Sequence, residues 1–158
     1  MKRLLFLFLL LTSCGVFHPT KFNDLSLNEK LLNEKRESIK FSEALKEDKN
    51  QKKTLIHLYA SYCPFSQKSI KDVAKLQSES DNFNYVSLSV DHSYHDWKRE
   101  LKNIPIKGKH FYLSSKGKGA IGSFLNLKKV PRFLILDEED EILIFKSSNF
   151  SSLKSKLK

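Results

Sequence analysis

The residue best suited to covalent chemistry is Cys63, in the stretch LIHLYASYCPFSQKS, residues 55–69. A nearly unbroken apolar run precedes the cysteine, and Pro64, a residue well tolerated at the first position of a helix, follows it. The pattern predicts a strand, then a helix that begins at Pro64 with Cys63 as its N-cap. Amide groups of the first turn and the helix dipole then favour the thiolate, which is the nucleophile. The alternative is a small buried apolar residue without chemistry.

The amino terminus reads as an export signal. The segment MKRLLFLFLLLTSCG places Lys2 and Arg3 before the apolar run 4–11, which is shorter than the ~20 residues of a membrane-spanning helix. The end of this segment, the sequence LTSC at residues 11–14, resembles the signal of bacterial lipoproteins. That resemblance implies a signal peptide at residues 1–13, cleavage before Cys14, and acylation of Cys14 as a membrane anchor. The alternative is an ordinary signal peptide with an incidental cysteine.

The cysteine count then leaves one thiol for chemistry. The sequence holds two cysteines, and lipidation of Cys14 would leave Cys63 as the sole free thiol of the exported protein. We expect such a protein to face the periplasm.

The charge of the chain is strongly basic, with a formal net value of +10 to which Lys2 and Arg3 contribute. In a cytoplasmic protein this surplus would indicate nucleic-acid binding. In an exported, tethered domain it is more typical of attraction to anionic lipid or acidic proteins, or simply of solvated surface charge. We therefore expect no nucleic-acid partner.

The remaining pattern predicts one α/β domain at residues 39–158, joined to Cys14 by a tether at 14–38 with a loosely packed helical segment. Periodicity and turn residues predict a mixed central sheet flanked by helices, with a C-terminal hairpin and helix. The predicted elements are a helix capped by Ser42, a strand at 54–61, a helix from Pro64, a half-buried strand at 84–92, a helix at 93–104, a short strand at 109–115, a short helix at 119–127, a hairpin at 130–148 and a lysine-rich helix at 149–158.

Two motifs carry a resemblance to a known family. KTLIHLYASYCPFSQKS and, about 65 residues later, KKVPRFLILDEEDEILI resemble thioredoxin-fold proteins. Together with VSLSVDHSYHDWKRELKN they are most similar to the exported, membrane-tethered thiol-disulfide oxidoreductases of the TlpA type, over residues 39–158.

The resemblance implies a role for each motif. Cys63 would attack disulfides of protein clients, the Val130–Pro131 bond would be cis, and the exposed backbone of Val130 would pair with an extended substrate. Substrate contacts would come from the residues beside these two, namely Tyr62, Pro64, Phe65, Val130 and Pro131.

One departure from the family decides the expected mechanism. The family carries Cys-x-x-Cys, whereas the second position here is Ser66. A hydroxyl cannot resolve a mixed disulfide, so we expect monothiol exchange that depends on an external thiol reductant. Ser66 could instead donate a hydrogen bond to the Cys63 thiolate.

His57, six residues before Cys63, could act as a base or charge partner, or be an ordinary core histidine.

Three other functions stay open at this point. The first is a redox-inactive binding module that uses the groove at Val130–Pro131. The second is a monothiol glutaredoxin, because CPFS is similar to that family's motif, although export argues against it. The third, a peroxidase, is disfavoured by Ala60, where a threonine would be needed. Histidines 57, 92, 95 and 110 show no metal-ligand spacing, so we expect no metal or other cofactor.

Overall fold

The computed structural model describes residues 18–46 and 50–155. Their strands are β1 (Lys30–Leu32), β2 (Ser38–Lys40), β3 (Lys53–Tyr59), β4 (Phe83–Ser89), β5 (Lys109–Tyr112), β6 (Arg132–Leu136) and β7 (Ile142–Ser147). Their helices are α1 (Asp24–Leu27), α2 (Phe41–Lys46), α3 (Pro64–Glu79), α4 (Tyr94–Leu101), α5 (Ala120–Phe124) and α6 (Phe150–Ser155).

The strands form one mixed sheet in the order β2-β1-β5-β4-β3-β6-β7. The central strands β3, β4 and β5 are parallel, while β6 runs antiparallel to β3 and β7 antiparallel to β6. The predicted α/β class, mixed sheet and C-terminal hairpin with its helix are confirmed.

Helices cover both faces of the sheet, which explains the continuous apolar run of β3. On one face Leu55 and Tyr59 pack against apolar residues of α3, α4 and α6, which include Val73, Trp97 and Leu153. On the other face the alternate β3 residues Ile56 and Leu58 pack against α2 and α5, which contribute Phe41, Ala44 and Ile121.

The prediction that β4 is half-buried is wrong. Ser87 and Ser89, expected on a solvent face, are both buried. They lie on the sheet face that α3 and α4 cover, where a small side chain fits under the helices. The Ser89 hydroxyl is satisfied by donating to Asp91 Oδ2 at 2.7 Å. The alternation of serine with apolar residues therefore reflects two differently packed faces, both out of solvent.

The prediction of a tether is wrong for the described residues 18–38. Phe22 and Leu31 are buried in the core, and β1 pairs with β2 and with β5 at the edge of the sheet. The carboxylate of Glu29 accepts hydrogen bonds from the Ile121 amide at 2.6 Å and the Ser115 hydroxyl at 2.7 Å. This segment is held to the domain by burial and by a carboxylate at the start of α5.

The predicted signal peptide, residues 1–13, and the predicted lipidation site, Cys14, lie outside the described residues. Within the described ranges, every helix is too short or too polar to cross a lipid bilayer.

Candidate active site at the start of helix α3

Cys63 occupies the junction between the central strand and the longest described helix. It is the N-cap of α3, Pro64 is the first helical residue, and the Gln67 amide donates to the Cys63 carbonyl at 2.9 Å. The Cys63 amide in turn donates to the Ala60 carbonyl at 3.1 Å, which closes the loop after β3. The side chain is a free thiol that is partly exposed. The predicted strand, N-cap and helix start are confirmed.

The sulfur of Cys63 faces the loop before β6. Its thiol donates to the Val130 carbonyl, 67 residues away, at a sulfur–oxygen distance of 3.9 Å, and it makes no capping bond to the helix amides. The Val130–Pro131 peptide bond is cis. Pro131 is buried while Val130 is partly exposed. The structure thus brings the two motifs of the sequence together, with the sulfur of Cys63 beside the partly exposed Val130.

Ser66 lies beneath this junction, fully buried at the third position of the helix. Its hydroxyl oxygen accepts a hydrogen bond from the Ala60 amide at 3.2 Å. No hydrogen bond joins Ser66 to Cys63 in the described part of the chain, so donation to the thiolate stays a prediction. Ser66 has a structural task, which is to tie the start of α3 to the loop after β3.

His57 lies in the core between aromatic rings, 1% exposed. It stacks on Phe133 with ring centroids 4.9 Å apart, and its Nε2 is 2.9 Å from the Ser69 hydroxyl. Because the Ser69 hydroxyl already donates to the Ser66 carbonyl at 2.8 Å, Nε2 must be the donor, which leaves Nδ1 buried without a partner. Burial first, and repulsion from His110 second, lower the pKa of His57 to about 3.

This environment keeps the His57 imidazole neutral at neutral pH, which disfavours the predicted role of charge partner for Cys63. The contacts instead make His57 a link between β3 and the first turns of α3, through Ser69. The structure therefore favours the core-histidine alternative.

Exposed aromatic side chains flank the sulfur. Tyr62 is 54% exposed and stacks on the His92 ring at 4.2 Å, while Phe65 is 75% exposed. Pro64 is also exposed. Large apolar side chains are costly to leave in water, so this surface is suited to contact with another polypeptide.

A buried carboxylate that the sequence analysis missed fixes the loop before the cysteine. Asp91 accepts hydrogen bonds from the Ser61 amide at 2.7 Å, the Ser61 hydroxyl at 3.0 Å and the Ser89 hydroxyl at 2.7 Å. Its position just after β4 could have indicated this role, because the carboxyl ends of adjacent parallel strands lie side by side and bring Asp91 close to the loop after β3. Asp91 thereby holds the turn that presents Cys63.

Comparison with known proteins identifies the family. Residues 50–142, more than half of the chain, match the family described as thioredoxin-like. The chain belongs to the thioredoxin-like family. No curated protein matched the sequence.

Solved structures share the fold of this thioredoxin-like chain. The C-terminal domain of a candidate thiol-disulfide oxidoreductase from Bacteroides thetaiotaomicron has a TM-score of 0.70 at 20% identity, over 89% of this chain and 93% of that one. A thiol-disulfide oxidoreductase from Bacteroides fragilis NCTC 9343 has 0.66 at 19%, over 81% and 93%. The pneumococcal exposed lipoprotein thioredoxin from Streptococcus pneumoniae strain TIGR4 has 0.59 at 17%, over 81% and 96%. At these identities the likeness concerns the fold alone.

The buried histidine makes the stability of this thioredoxin-like domain depend on pH. Because the pKa of His57 is about 3 in the folded chain and 6.5 ordinarily, only the unfolded chain binds this proton between these values. The free energy of unfolding should therefore fall by about 2 kcal/mol from His57 alone between about pH 7 and pH 5. Burial lowers the pKa of His110 as well, and adds to the loss.

Urea unfolding of wild type and a His57→Gln variant at both pH values measures this contribution. We expect the pH-dependent loss to shrink in His57→Gln and to stay unchanged in His95→Gln, whose histidine is exposed. An equal loss of unfolding free energy between the two pH values in wild type and His57→Gln would contradict the assignment of this loss to His57.

Proposed function

We propose that this protein is an exported, lipid-anchored member of the thioredoxin-like family that performs thiol-disulfide exchange on protein clients with a single cysteine. One observation carries the proposal. The partly exposed Cys63 sulfur lies at the N-terminus of α3 and 3.9 Å from the Val130 carbonyl, beside a cis proline. This arrangement supplies a nucleophile and a backbone edge where an extended chain can pair.

The first step forms a mixed disulfide. The Cys63 thiolate attacks one sulfur of a client disulfide, so that a new S–S bond forms to Cys63 as the client's own S–S bond breaks. The electron pair leaves with the second client sulfur, which takes up a proton from solvent. Pairing of the client backbone with Val130, together with contacts to Tyr62, Pro64 and Phe65, would hold the attacked disulfide in line.

The second step requires another thiol. Ser66 occupies the place of the family's second cysteine, and its hydroxyl is not a nucleophile toward disulfides. Release therefore falls to an external thiol reductant, which yields net reduction, or to another cysteine of the same client, which yields isomerisation. The mechanism calls for no metal or other cofactor, and neither product requires a second cysteine in this protein.

The proposed anchor rests on the amino-terminal sequence. The apolar run 4–11, which leads into the sequence LTSC at residues 11–14, fits a lipoprotein signal. One structural neighbour is described as an exposed lipoprotein thioredoxin. With Cys14 acylated, the domain would face the periplasm, and the basic surface would add attraction to anionic lipid.

Trapping experiments test the exchange reaction directly. Wild type mixed with an unfolded, disulfide-containing protein should form a mixed disulfide through Cys63, detected on non-reducing gels and by peptide mass mapping. Once the client thiols are blocked by alkylation, the adduct should persist until a small thiol is added, because Ser66 cannot displace the client. Cys63→Ala should form no adduct. Wild type that forms no adduct would contradict the proposal.

A second candidate is a redox-inactive module that binds polypeptides in the same groove. The exposed Tyr62 and Phe65 favour it, because they offer apolar contact without any need for the sulfur. It predicts that Cys63→Ala binds a reduced, unfolded client as tightly as wild type does, and that wild type captures no disulfide-containing client covalently.

Restoring the second thiol should convert the mechanism. We expect Ser66→Cys to form a disulfide between Cys63 and the introduced thiol on reaction, and to catalyse insulin reduction by dithiothreitol at least roughly ten-fold faster than wild type, because the mixed disulfide then resolves internally. Ser78→Cys adds a thiol to the exposed side of the same helix and should give no such gain. A Ser66→Cys variant that forms the internal disulfide yet gains no activity would show that the groove does not accept clients.

A further inference from the structure

A cleft of about 440 Å³ lies next to the reactive cysteine. Its lining includes Phe65 and Lys68 of α3, the segment 129–133 and Phe150 of α6. The cleft adjoins the Cys63 site because Phe65 and Val130 border both. A chain that pairs with the Val130 backbone while Cys63 attacks would therefore continue into this space.

The charges that line the cleft are mostly positive. Lys68, Lys129 and Arg132 lie on its walls, and Asp72 is the one carboxylate among the described residues there. In the described ranges none of these four groups has an ion-pair partner. Elsewhere the cations are often paired, as in Lys52 with Asp81 and Lys154 with Glu79, both at 2.7 Å. The cleft therefore carries a net positive charge that no part of the described structure neutralises.

Arg132 is the most confined of these cations. It directly follows Pro131, it is partly buried, and its Nη1 donates to the Pro131 carbonyl at 3.1 Å. Burial lowers the pKa of Arg132. A guanidinium has five N–H donors, so this single bond leaves the others available to a planar acceptor such as a carboxylate.

Aromatic side chains lie between the cations. Phe65 is largely exposed and Phe150 is partly exposed, so the cleft offers apolar contact as well as charge. A single inorganic anion would use only the charge, whereas a polypeptide with an acidic residue and an apolar neighbour would use both and could also pair with the Val130 backbone.

We infer that the cleft selects clients that carry an acidic residue close to the attacked cysteine, with Lys129 and Arg132 as specificity-determining residues and Lys68 as a further cation of the lining. This inference rests on the proposed exchange function, since it concerns the same site. The reaction itself is unchanged. The Cys63 thiolate attacks the client disulfide, one S–S bond forms as another breaks, and the client carboxylate is bound but not consumed.

The test uses full-length protein in a non-ionic detergent and three synthetic peptides. Each peptide carries one cysteine activated as a 2-thiopyridyl disulfide, flanked by glutamate, glutamine or lysine, and release of thiopyridone reports the rate of Cys63 attack. We expect the glutamate peptide to react about ten-fold faster than the glutamine peptide at low salt, with the preference declining as salt screens the charges.

Matched variants separate the cleft from the overall basic charge. Lys129→Gln with Arg132→Gln should reduce the preference to within about two-fold, whereas Arg132→Lys alone should keep most of it because the charge remains. Lys35→Gln with Lys40→Gln removes the same charge at the opposite edge of the sheet and should leave the preference intact. Loss of the preference in this control would overturn the inference.

Three further outcomes would also overturn it. Equal rates for the three peptides in wild type would show that the cleft does not read client charge, while exchange through Cys63 would stand. If the double variant slowed reaction with oxidised glutathione but kept the peptide preference, the cations would serve a small acidic disulfide instead. The absence of a Cys63 adduct with every peptide would overturn the exchange function, and the inference with it.

Discussion

The pairing of β3 with β6 is the constraint on which the candidate site depends. The register places Leu58 opposite Arg132, so the carboxyl end of β3 and the loop before β6 must meet at the same end of the strands. The chain turns after β3 into α3, and Cys63 at that turn therefore faces Val130. Two motifs far apart in sequence become one site because a one-residue shift of register would move every β3 side chain to the opposite face of the sheet, where the packing is different.

Buried polar groups set the geometry of the turn itself. The carboxylate of Asp91 and the hydroxyl of Ser66 each hold a backbone amide of the loop after β3, and His57 ties that strand to α3 through Ser69. Burying such groups is favourable only when they are hydrogen-bonded, so each one specifies a single loop conformation. Ser66 thus has a structural contact but supplies no second thiol, because its hydroxyl accepts the Ala60 amide.

The sequence was sufficient for the parts of the fold with strong local signals. An apolar run that ends at Cys63-Pro64 predicts both the strand and the helix start, and the acidic turn between two apolar segments predicts the C-terminal hairpin. It was insufficient where structure depends on distant partners. Each of β1 and β2 spans three residues, too few to show a period, and β1 is held by pairing with Tyr112 and by burial of Leu31. The burial of Ser87 and the role of Asp91 likewise follow from neighbours that only the folded sheet supplies.

The proposed function requires that the start of α3 presents the sulfur of Cys63 as a nucleophile that is accessible to other disulfides. The rate at which iodoacetamide alkylates Cys63 near neutral pH, followed by peptide mass mapping in the folded protein and in the guanidinium-unfolded chain, tests it most directly. We expect faster alkylation in the folded protein, because the proposed exchange requires a nucleophilic sulfur at the N-terminus of α3. Slower alkylation in the folded protein than in the unfolded chain would contradict it.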